Sequence, residues 1–151
     1  MYLAEALNQR RDLLGRISHY KGLLPKMIYK IEGQDLAFEP EYVLQQLKNL
    51  ASQLERVVRA INKTNHQTPL EDGKSLADAI AERDSIDLYI SFCKKVMQGM
   101  NEVSCSYSDK EQTLRIDMKK VEEDLQRFLD QRRALDSEIQ RINWQTVLVK
   151  V

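Results

Sequence analysis

Apolar residues recur in alternating steps of four and three along most of this chain, and that rhythm most restricts its fold. It runs through Leu3, Leu7, Arg10, Leu14, Ile17, Lys21 and Leu24, widened by Leu13, Tyr20 and Leu23. A second row is Val43, Leu47, Leu50, Leu54, Val57 and Ile61. A third comprises Ala79, Ile86, Ile90, Cys93, Met97 and Met100, broadened by Leu76, Ile80 and Leu88. The fourth is Val121, Leu125, Phe128, Arg132, Leu135, Ile139 and Ile142. A mean step of 3.5 keeps such rows on one helical face, whereas a strand needs a period of two. The expected fold class is therefore mainly α: an antiparallel helical bundle, or long helical hairpins, with coiled-coil character.

The punctuation agrees with four helices. Pro25 ends or kinks the first near residue 23 or 24, because proline lacks a donor and clashes with the preceding turn. Pro40 suits the first position of the second helix, where no donor is needed. That helix is expected to fail around 62–65, opening an irregular stretch, 62–73, rich in Asn and Thr and closed by Asp72-Gly73. Ser75, with Asp78 three residues on, reads as a capping box for the third helix, which should fade after Met100. Asp117 caps the fourth, which ends near Asn143-Trp144. Between these, 26–32 and 113–116 alternate in hydropathy, leaving room for a short two-stranded β ribbon of about 27–31 with 113–116. With 151 residues, only 5 Gly and 3 Pro, the chain reads as one helical domain over 1–151, too poor in turn formers for an all-β barrel.

Charge excludes further classes. Lys plus Arg and Asp plus Glu are both 23, so the formal net charge is zero. The basic pairs Arg10-Arg11, Lys94-Lys95, Lys119-Lys120 and Arg132-Arg133 are scattered among acids, so no one-sided footprint for nucleic acid is expected. No apolar run reaches membrane-spanning length and no signal-like apolar stretch follows the start. Cys93 and Cys105 make no disulfide framework, and the cytoplasm is the expected compartment. Catalytic triad order, phosphate loop, dinucleotide fingerprint and paired-Cys zinc spacing are all missing, so no catalytic residue and no cofactor is assigned.

The candidate binding residues are Asn62, Asn65, Thr68, Glu71, Asp72, Arg83 and Asp84, with His66 nearby. Carboxylates beside one imidazole suit a divalent metal or a small polar ligand. The same residue types also make a capped helix–helix connection, with Gly73 at positive φ and Arg83 paired to a loop carboxylate. Whether a metal is held there stays open. Arg10, Lys21 and Arg132 sit on apolar rows: either their stems cover apolar surface, or they pair with acids across an oligomer seam, or they hold an anion. Trp144 reads either as a lock on the bundle end or, with Tyr2, Tyr20, Tyr29, Tyr42 and Tyr107, as an aromatic contact surface.

Several stretches resemble the septicolysin-like family of bacterial proteins. They are Leu3-Ala4-Glu5-Ala6-Leu7 with Arg10, Asp12-Leu13 and Arg16-Ile17; Glu32-Gly33; and Glu39-Pro40. The central match is Ile61-Asn62, Thr64-Asn65, Thr68, Leu70-Glu71-Asp72-Gly73, Leu76, Ala79-Ile80 and Arg83-Asp84, followed by Ile139-Gln140 and Asn143-Trp144. The family name implies a thiol-activated cytolysin, but the resemblance supplies no catalytic or binding residue to carry over. The leading expectation is a non-enzymatic, self-associating protein that acts through protein contacts. The alternatives are a small-ligand or metal-binding protein using 62–84, with or without enzymatic activity, and then a cytolysin.

Overall fold

A computed structural model describes residues 1–29, 33, 39–106 and 113–150; of the side chains at 101 and 103–106 nothing is described. The chain is mainly helical. Helix α1 spans Leu3–Leu23, α2 Pro40–Gln67, α3 Leu76–Ser106 and α4 Met118–Gln145, with a 3₁₀ turn at Leu24–Met27. No residue among those described lies in a β-strand beyond two isolated bridges. The expected ribbon is not found among the described residues: Met27 closes the 3₁₀ turn, and 113–116 has no ladder partner among them. Pro25 at the second position of that turn explains the preference, since its fixed φ suits a tight helix and its missing N–H cannot serve a ladder. Residues 30–32 of the proposed strand lie outside the described residues.

The chain divides into two compact units, one formed by Met1–Thr68 with Asn143–Val151 and the other by Pro69–Ile142. In the first unit α1 and α2 pack antiparallel. Met1, just before α1, and Gln9, in its first half, border the same hollow as Val57 and Ala60, from the second half of α2. The row on α2 falls as its sequence predicts: Val43, Leu50, Val57 and Ile61 are buried, and the row continues to Thr64, 1% exposed. On α1 the phase differs. Ala6 and Leu13 are buried, while Leu14 is 42% exposed. The four-three rhythm can start from Leu3 with either step, and only contact with α2 selects Ala6 and Leu13 over Leu7 and Leu14. Arg10 and Lys21 are exposed, so their charges stay in water.

Helix α2 runs past its expected end to Gln67. Asn and Thr cost only a few tenths of a kcal/mol as helix residues, about 0.7 at most. Burial of Ile61 and Thr64 outweighs that. The Thr64 hydroxyl also donates to the Ala60 carbonyl at 2.8 Å, and Thr68 to that of Thr64 at 2.8 Å. The segment 146–150 then lies beside the start of the chain. Leu3 N–H donates to Thr146 C=O at 2.9 Å and Leu148 N–H to Met1 C=O at 3.0 Å. At the start of α1 the Glu5 carboxylate accepts the Tyr2 N–H at 2.6 Å, satisfying a donor that the helix leaves free. Trp144 belongs to α4 and is 59% exposed, so it locks no bundle end.

In the second unit α3 and α4 pack antiparallel, as the cross-helix pairs Arg132–Asp87 and Arg83–Asp136 require. Leu76, Ala79, Ile86, Ile90 and Ile139 are buried. Helix α3 continues beyond Met100 to Ser106, and Cys93 on its row is half-buried. Leu88, expected to broaden the row, is 57% exposed. Arg132, which sits at a seam position of α4, is held by Asp87 of the same chain at 3.0 Å.

Candidate functional site

The second unit opens with a tight turn. Leu70 N–H donates to Lys74 C=O at 2.8 Å, and Gly73 N–H to Leu70 C=O at 3.0 Å. Gly73 takes φ +83, a left-handed conformation that a Cβ makes costly. The Asp72 carboxylate accepts the Lys74 backbone N–H at 3.0 Å, an Asx turn. That bond, first, and then the Lys74 ammonium hold the Asp72 carboxyl below the usual range. Lys74 is itself raised, chiefly by its 2.8 Å hydrogen bond to Glu82 and then by Asp72. Ser75 completes the expected capping box: its hydroxyl accepts the Asp78 N–H at 3.1 Å, and the Asp78 carboxylate accepts the Ser75 N–H at 3.1 Å.

The candidate residues from the sequence are divided between the two units. Asn62, Asn65 and Thr68 belong to the first unit; Asn62 is exposed, while Asn65 and Thr68 are half-buried along the last turns of α2. In the second unit each carboxylate faces a cation. Glu71 accepts from Arg141 at 3.1 Å, Asp72 lies 3.3 Å from the Lys74 ammonium, and Asp84 accepts from Arg83 at 2.7 Å. Arg83 thus pairs with its helix neighbour and with Asp136 at 4.0 Å rather than with a loop carboxylate. Among the described residues no group of three or more His, Cys, Asp or Glu is placed to hold a metal ion. His66 is exposed in the first unit.

Two features of the second unit escaped the sequence reading. One is an open groove of about 620 Å³ between α3 and α4, walled at one end by the stacked rings of Tyr89 and Phe128, 5.1 Å apart, and flanked elsewhere by Glu82 and Glu138. The other is a row on the outer side of α3: Asp84, Leu88, Phe92 and Lys95 are all exposed, with Leu88 and Phe92 each 57% exposed. The i,i+4 spacing of Leu88 and Phe92 was visible in the sequence. The sequence expectation places Leu88 alone on the buried row and gives Phe92 no role, because helical spacing alone does not say which of two adjacent faces is buried.

A family model described as a family of unknown function (DUF6847) matches residues 10–148, and the chain belongs to that family. Among solved structures it is similar to a functionally unknown conserved protein from Corynebacterium diphtheriae, at 32% identity over 99% of each chain with a TM-score of 0.91. No curated protein matches it. Among the described residues no helix is long and apolar enough to cross a membrane.

Proposed function

We propose that this member of the DUF6847 family is a non-enzymatic interaction protein that pairs with a second copy of itself through the outer row of α3. The supporting observation is the order of exposed residues along that row: Asp84, Leu88, Phe92, Lys95. Turned antiparallel about a two-fold axis near Ile90, the row is its own complement. Leu88 meets Phe92 of the second copy, and Asp84 meets its Lys95. Closed homodimers use such self-complementary patches, and Leu88 and Phe92, four residues apart, are neighbours on one helical face. The apolar rows on α2 and α3 are buried within the chain itself, so association along those seams gives way to association through this outer row. The resemblance to the septicolysin-like family enters this reading as descent only, and lysis forms no part of it.

Sedimentation velocity at tens of micromolar should show a dimer. Lys95→Glu should shift it to monomer, and Asp84→Lys combined with Lys95→Glu should restore the dimer, because the exchanged charges again face each other. A wild-type monomer, or reversal variants that all sediment alike, would overturn the proposal.

A further inference from the structure

We draw no further inference here: the strongest candidate, the open hollow of the first unit bordered by Val57 and Ala60 of α2 and by Val147 and Val149 of the segment after α4, carries nothing, because Arg56 and Lys150 on its rim are exposed to water and nothing in the structure shows what covers it.

Discussion

The hydroxyl of Thr64, in the last turn of α2, accepts the backbone N–H of Val149 at 3.0 Å while donating to the Ala60 carbonyl at 2.8 Å. One nearly buried side chain thus ties the end of a helix to a segment eighty-five residues away. Thr64→Val keeps the shape but leaves the half-buried Val149 N–H without an acceptor. The expected loss is about 1–3 kcal/mol in denaturant unfolding, with faster amide exchange at Val149. Thr64→Ser should recover most of it.

Leu13 and Leu14 are adjacent, and the sequence rhythm admits either as the core residue. Leu13 is 4% exposed and Leu14 is 42% exposed. Leu13→Ala should therefore cost about 2–5 kcal/mol, and Leu14→Ala well under half of that. Equal losses by chemical denaturation would contradict the phase of α1.

Gly73 has φ +83, and nothing lies within 4 Å of where a Cβ would be. The cost of Gly73→Ala is then backbone conformation and not collision. It should lower stability by about 1–2 kcal/mol, read as a drop in Tm. Gly99 lies inside α3 with equally open space around it, so Gly99→Ala should be neutral or stabilising.

The Asp72 carboxyl is lowered by the Lys74 backbone N–H and then by its ammonium. A depressed folded-state pKa gives stability that is present above the unfolded value and lost as pH falls through the folded one. The turn at 70–74 should hold at neutral pH and loosen below about pH 4, the ordinary range for Asp. Lys74 is raised, chiefly by Glu82, so its contribution is complete below its unfolded value and fades only in strong alkali. Carbon-13 titration of the Asp72 carboxyl, with and without Lys74→Gln, checks the Asp72 sign: the variant should move its midpoint up, but not fully to the ordinary value, because the backbone N–H remains.

The helical class, the α2 and α4 rows, the Pro25 and Pro40 breaks and the Ser75–Asp78 and Asp117 caps were legible in the sequence. They depend on local geometry: donors freed at a helix start, a proline's missing N–H, a 3.5-residue period. The Asp117 carboxylate does accept the Lys120 N–H, at 3.3 Å. The lower ends of helices were less legible. Asn62 and Asn65 look like terminators, and α2 continues through them because burial of Ile61 and Thr64 exceeds their small propensity cost.

The candidate residues around 62–84 illustrate the same limit. Their types suit either a ligand pocket or a capped connection, and a carboxylate's partner is set by whatever cation the fold brings near. Arg141 reaches Glu71 from seventy residues away, a pairing no local pattern contains. Sequence alone therefore determined that this chain is helical, where its helices start and which capping turn opens α3. Tertiary structure alone decided that Leu13 and not Leu14 is core, that Leu88 and Phe92 stay in water, and that Tyr89 stacks on Phe128. The reason is physical: periodicity fixes which residues share a face, whereas burial and charge pairing depend on which other helix that face meets.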